Sequence, residues 1–281
     1  MKNTRLLIMA GGASSRMKRT LDEAGLSEAT KKIAQSAHKS LIPLGKSGQP
    51  LLYYLLRNAA EAGYEDIYLI TSPENDNFHA LVGAQNKDNT YLGLKVHFAI
   101  QQVPQGRQKP LGTADALEQT FEQYPELLTT SFTICNGDNL YSVNALSKLR
   151  EDRKSPNALI SYARSGLQFP DERISKFAIM DIDAEEFLKQ IIEKPEPDRI
   201  SKFQDAVGEI RVSMNIFSFE GASIFPYIKN CPIHPVRDEK ELPEAVRNAV
   251  KDHPQSMLCI PVSEHLPDLT AAQDIGAFEF L

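Results

Sequence analysis

No uninterrupted apolar run in this 281-residue chain approaches the ~20 residues of a membrane span. The first apolar run, residues 6–10, is too short for a signal-peptide core and leads straight into a glycine pair. Cysteine is scarce. Cys135, Cys231 and Cys259 are scattered and form no CxxC pair, so neither a zinc knuckle nor a disulfide framework is indicated, and a reducing cytoplasm is the expected location. A basic excess is also missing: 31 Lys and Arg against 37 Asp and Glu leave a formal charge of −6. That argues against a general nucleic-acid binder. It does not argue against an anionic substrate, which local cations can bind. None of the six histidines has ligand spacing such as HxxxH. Two familiar phosphate motifs are absent as well. There is no GxGxxG, and Gly45-Lys46-Ser47 imitates the end of a P-loop but has Ser40 where the first glycine is required.

What is present is an alternation of strand and helix patterns. Residues 4–10, 66–71, 95–101 and 131–135 read as short buried strands. Leu51, Leu52, Leu55, Leu56, Ala59 and Ala60 recur at helical spacing and Gly63 stops that helix; 114–124 reads as another. Such alternation means a mostly parallel sheet. The second half is richer in strands, at 157–163, 174–181, 189–193, 209–219 and 257–262, with a helix at 241–251. No Gly/Ser-rich linker or internal repeat interrupts the chain. The expectation is one α/β domain over 1–281, with a nucleotide-binding half near 1–150 and a second half near 151–281.

In open parallel sheets ligands bind beyond the carboxyl ends of the strands. Two special loops lie there. The first is Ala10-Gly11-Gly12-Ala13-Ser14-Ser15-Arg16-Met17. Its glycines are expected to take positive φ and to bring bare N–H groups close to a ligand, as an anion nest does. Arg16 adds a forked cation. This is chemistry suited to a triphosphate. The second loop is Asn136-Gly137-Asp138, a turn-forming trio that closes a strand with a carboxylate. Lys39 precedes the short apolar run 41–44 and is a candidate second cation.

The loop GGASSRM, the run Lys39-Ser40-Leu41-Ile42-Pro43-Leu44 and the amphipathic helix that follows resemble the sugar-1-phosphate nucleotidyltransferases, also called nucleoside-diphosphate-sugar pyrophosphorylases. The resemblance runs through most of the chain. Residues 110–116 are similar to the family's P-L-G-T-A segment, Asn136-Gly137-Asp138 to its G-D pair, 176–181 to its R-Y-G-V-V-E stretch and Glu193-Lys194-Pro195 to its E-K-P. Residues 212–217 resemble its V-N-x-G-I-Y strand, 238–246 the E-x-x-L-P-D-A-I segment and 266–270 the W-x-D-x-G-T segment. The departures are Ala178 and Met214-Asn215-Ile216, where glycines are usual, the missing tryptophan and glycine around Asp268, and an insert over 18–38. Within that insert 27–37 is helix-compatible and carries Lys31 and Lys32; it reads either as a lid that adds cations over the triphosphate or, the favoured reading, as a solvated surface helix.

The resemblance implies a Rossmann-like (GT-A-type) mixed sheet, mostly parallel, flanked by helices, with a strand-rich sugar-binding lobe. It implies an enzyme that joins a nucleoside triphosphate to a sugar 1-phosphate and releases pyrophosphate with Mg²⁺. In that reading Arg16, Lys39 and Asp138 are catalytic. Ala10, Gly11, Gly12, Ser14, Gln108, Gly112 and Thr113 bind the nucleotide. Ala178, Glu193, Lys194 and Asn215 bind the sugar phosphate, and Asp138 and Asp268 hold the metal. UTP or dTTP is favoured because glutamines precede Gly112. Gln108 is the chosen base reader among Gln101, Gln102 and Gln105. Relatives of this kind are often homo-oligomers, though no interface is legible, and neither nucleic acid nor membrane is an expected partner. The competing readings are a phosphocholine cytidylyltransferase-like enzyme, which would need an aromatic or acidic cage for its acceptor, and a homologue that binds nucleotide-sugars without making them.

Overall fold

A computed structural model describes residues 2–12, 14–23, 28–36, 38–193 and 195–281. In chain order the elements begin β1 (Arg5–Met9), α1 (Ser15–Arg19), α2 (Glu28–Ser36), β2 (Pro43–Leu44), β3 (Gln49–Pro50), α3 (Leu51–Glu61), β4 (Asp66–Thr71), α4 (Asp76–Val82), β5 (Asn89–Tyr91) and β6 (Leu94–Ile100). They continue α5 (Thr113–Gln123), β7 (Ser131–Asn136), α6 (Val143–Lys148), β8 (Asn157–Ala163), α7 (Asp171–Ile174), β9 (Ile179–Ile182), β10 (Leu188–Ile192), β11 (Arg211–Glu220), α8 (Gly221–Lys229), α9 (Leu242–Asp252) and β12 (Met257–Val262). Two compact units contain them. One comprises 5–101, 136–146 and 266–281, and the other 1–4, 102–135 and 147–265. A single cut near residue 150 therefore does not separate them.

In the unit containing 5–101, β1 pairs with β4 and β4 with β6, both in parallel, and β5 closes the edge antiparallel to β6. The strands are short and nearly continuous in apolar residues because both faces are covered. Leu6, Leu7, Ile8, Ile67, Leu69 and Val96 are fully buried. Helix α3 supplies one cover with Leu51, Leu52, Leu55, Leu56 and Ala59, which recur on one face at i, i+3 and i+4. The segments at 136–146 and 266–281 are stitched in by backbone bonds. Gly137 N–H donates to Met9 O at 2.9 Å and Leu140 N–H to Pro267 O at 2.9 Å. The insert holds a short 3-10 turn and α2, in which Glu28, Lys32, Ile33 and Gln35 are exposed, Lys31 is half-buried and Ala34 is buried.

The other unit is strand-rich and largely antiparallel. β11 pairs with β7, β8 and β9 and β10 with β9, all antiparallel, and β12 joins β8 in parallel. Val212, Ile216, Phe217 and Phe219 are buried along its central strand β11, and Phe217 and Phe219 stack at 5.5 Å between ring centroids. Together the units show the expected α/β architecture with a mixed sheet. One strand is shorter than the sequence suggests. Residues 174–181 were expected extended throughout, yet α7 ends at Ile174 and β9 begins only at Ile179. Pro170 sets that turn. It starts α7, with its carbonyl accepting from Arg173 and Ile174 N–H. No helix among the described residues is long and apolar enough to cross a membrane.

Candidate active site

The glycine loop leaves β1 at Ala10, whose N–H donates to Ile70 O at 2.8 Å. Among the described residues of this loop Ser14 is left-handed, with φ 53°, and neither Gly11 nor Gly12 takes the positive φ that the sequence reading expected. The chain turns at Ser14 because α1 starts there, its carbonyl accepting from Lys18 N–H at 3.0 Å. Gly12 instead provides room. A Cβ there would meet nothing within 4 Å, so a ligand can approach the bare backbone. Ala13 lies outside the described residues.

Ser14 is buried, and its hydroxyl accepts from Lys39 N–H at 3.1 Å. This bond fixes the start of the 39–41 turn and hence the root of the Lys39 side chain. The Lys39 ammonium in turn donates to Asp138 Oδ2. Both side chains are under one-fifth exposed, so their attraction is screened less than that of a surface pair. Asp138 owes its place to Gly137. A Cβ on Gly137 would sit 2.9 Å from Met9 O, so only glycine allows 136–138 to lie against the end of β1. On its other side Asp138 O accepts from Leu269 N–H at 2.8 Å, and Asn139 bridges Asp268 antiparallel. The two aspartates therefore sit on backbone segments bonded to each other. Both Asp268 oxygens accept from Thr270 Oγ1, at 2.9 and 3.0 Å. Arg16 is exposed on α1, two residues past Ser14.

His38 adjoins this cluster. Its Nδ1 accepts from Ser40 N–H at 3.2 Å, which requires that nitrogen to be unprotonated. Burial, reinforced by the Lys39 and Lys18 ammoniums and opposed by Asp138, pushes its pKa down from 6.5 to about 4. The unfolded chain therefore binds a proton across this window that the folded chain refuses. Stability should be whole above about pH 6.5 and fall as pH drops towards about 4. The melting temperature of the wild type should decline through that window, and His38→Gln should flatten the decline. An unchanged slope in the variant would place the acid sensitivity elsewhere.

Glutamine placement separates the candidates. Gln108 is exposed in the loop before α5. Gln101 is buried, and its Oε1 lies 3.7 Å from the position of a Cβ on Gly11. Gln101 thus stands beside the glycine loop, within the same compact unit.

The other unit carries the remaining candidates. Gly112 has φ 117°, and a Cβ there would lie 2.4 Å from Lys240 O. The close approach that it permits is thus to the backbone of Lys240. Thr113 accepts from Leu242 N–H at 2.8 Å, so its hydroxyl ties α5 to the start of α9. Three adjacent strands gather Ala178, Glu193 and Asn215. Ile179 pairs with Ile192 and with Val212, Ser213 N–H donates to Ala178 O at 2.9 Å, and Glu193 directly follows Ile192. Asn215 has φ 53° and sits where the β8–β11 register shifts between Ser213 and Phe217. A short polar side chain tolerates the left-handed region, so Asn215 can take this conformation at the register shift. Lys194 lies outside the described residues.

One residue was not legible in the sequence. The Arg237 guanidinium donates to Glu193 Oε2 at 2.8 Å and to Glu241 Oε2 at 2.6 Å. The only hint was the dense alternation of charge over 237–241.

Comparison with known proteins bears on the family and the fold. A family model described as nucleotidyl transferase matches residues 6–279. A glucose-1-phosphate adenylyltransferase of Bifidobacterium animalis is 24% identical over 229 residues, 80% of this chain and 50% of that protein. A glucose-1-phosphate thymidylyltransferase of Mycobacterium tuberculosis is 32% identical over 101 residues, 36% of this chain and 28% of that protein. This chain therefore spans half or less of these relatives' own length. A crystal structure described as a glucose-1-phosphate thymidylyltransferase from Bacillus anthracis, in complex with sucrose, superposes with a TM-score of 0.68 at 19% identity, covering 98% of this chain and 94% of that one, which shows a shared fold. With the match of the family model running through nearly all of its residues, the chain belongs to the nucleotidyl transferase family.

Proposed function

We propose that this chain transfers a nucleotidyl group from a nucleoside triphosphate to a sugar 1-phosphate, with dTTP or UTP the favoured donor. The observation that carries the reading is the Lys39–Asp138 pair, fixed by Ser14 and Gly137 at the end of β1 and backed by the segment of Asp268. In the reaction a sugar-phosphate oxygen forms a bond to the α-phosphorus, and the bond from that phosphorus to the bridging oxygen of the departing pyrophosphate breaks. The protein has to align two polyanions and stabilise the charge that builds on them.

Arg16 and Lys39 are suited to the α-phosphate and the departing pyrophosphate, as cations beside an open loop. Glu193 and Asn215 orient the sugar ring, and Lys194 meets its phosphate. Gln101 is as strong a candidate for the base edge as Gln108, since it is the glutamine beside Gly11. A divalent cation fits the donor set. Asp138 and Asp268 offer hard carboxylate oxygens, and Thr270 orients the second of them. Two carboxylates completed by substrate phosphates suit Mg²⁺. When bound, it would neutralise phosphate charge as a Lewis acid. A cytoplasmic enzyme, assembled as a homo-oligomer, is part of the same proposal.

The test is pyrophosphate release from purified protein with Mg²⁺, each common nucleoside triphosphate and a panel of sugar 1-phosphates, with choline phosphate included. Release that depends on one donor and one sugar phosphate is the expected result. Release with choline phosphate alone, or silence throughout, would refute it.

A further inference from the structure

Residues 233–241 form a tight hairpin whose order is local. Ile233 bridges Lys240, His234 N–H donates to Glu239 O at 2.8 Å, and Asp238 N–H returns to His234 O at 2.8 Å. The His234 ring accepts from Val236 and Arg237 N–H at 3.2 and 3.1 Å, and Asp238 takes the left-handed turn at φ 57°.

This hairpin is clamped to the segment around Gly112. Lys240 N–H donates to Leu111 O at 2.6 Å, and Ala114 N–H donates to Lys240 O at 3.0 Å. Ion pairs repeat the attachment on both sides: Arg107 with Asp238 at 2.9 Å, Lys109 with Glu239 at 2.9 Å and Lys240 with Glu118 at 3.1 Å. Each pair alone is worth little at a partly exposed site. Added to the backbone bonds, they define one position for the hairpin.

Arg237 projects from this anchored backbone, and its single Nη2 bonds both Glu193 and Glu241. Without the guanidinium those two carboxylates would face each other as like charges. Burial first, and Glu193 among the neighbouring charges, already pushes the Glu241 carboxyl upward.

We infer that Arg237 is a positioning residue of the sugar-phosphate end. It fixes the carboxylate of Glu193 from a hairpin that is anchored on the 107–118 segment. The inference rests on the proposed nucleotidyl transfer. A carboxylate that must accept from sugar hydroxyls gains most when its rotamer is set before the ligand arrives.

The test uses the donor and sugar phosphate that release most pyrophosphate in the panel. Arg237→Met should raise KM for the sugar 1-phosphate about 10-fold, with kcat falling under about 3-fold and the nucleotide KM shifting under about 2-fold. Arg237→Lys should restore part of the sugar affinity. In a Glu193→Gln background Arg237→Met should add under about 2-fold, because its effect passes through Glu193. An unchanged sugar KM in Arg237→Met, or a full additional loss on top of Glu193→Gln, overturns this role while leaving nucleotidyl transfer intact. A wild type silent with every pair overturns both.

Discussion

Asp138→Asn should lower turnover by about three orders of magnitude while the chain stays folded. The substitution keeps the shape of the side chain and removes its charge. The backbone bonds that hold Asp138 in place, from Leu269 N–H to its carbonyl and from Gly137 N–H to Met9 O, do not involve the side chain and should survive. What is lost is the anionic partner of Lys39 and, on the proposed reading, a metal ligand. Lys39 would keep its charge at a site where its side chain is 19% exposed, so a stability loss of about 1–2 kcal/mol should accompany the loss of activity. Circular dichroism, thermal unfolding and pyrophosphate release on one preparation check all three points. Near-normal turnover would remove Asp138 from the catalytic set.

Gly112→Ala should destabilise the chain by roughly 2–4 kcal/mol and raise KM for the nucleotide. Two independent strains add. At φ 117° an L-residue is outside its ordinary conformations, and the new methyl would stand 2.4 Å from Lys240 O and 2.9 Å from Lys240 N. Neither obstacle is the mobile end of a side chain, so the backbone must move. The movement would pull against the Lys240–Leu111 and Ala114–Lys240 bonds that hold the 107–118 segment. Denaturant unfolding and steady-state kinetics provide the readouts. A variant within about 0.5 kcal/mol of wild type would show that this packing is not restrictive.

How far such features were legible depends on whether their cause is local. The parallel strands β1, β4 and β6 showed in sequence because each is a short apolar run with a turn beyond it, and a buried strand needs nothing else. Asp138 showed because a turn trio ends a strand. Helix α8 showed poorly because Pro226 interrupts its pattern, yet the structure tolerates proline there inside a nine-residue helix. Gly112 drew attention as a glycine, but the atom that demands it belongs to Lys240, 128 residues later, and no local pattern reports such a contact. The same holds for Arg237, whose partner Glu193 is 44 residues away in sequence. In the glycine loop the pattern pointed to the right segment and the wrong residue. The left-handed turn falls on Ser14, because the start of α1 and the bond to Lys39 N–H fix the chain there.

The most direct test of nucleotidyl transfer follows the phosphorus itself. With the donor labelled at the α-phosphate in one reaction and at the γ-phosphate in another, the α label should appear in a nucleoside diphosphate-sugar and the γ label in pyrophosphate. Label from the γ position on the sugar phosphate, or no α-labelled sugar product with any pair in the panel, would contradict it.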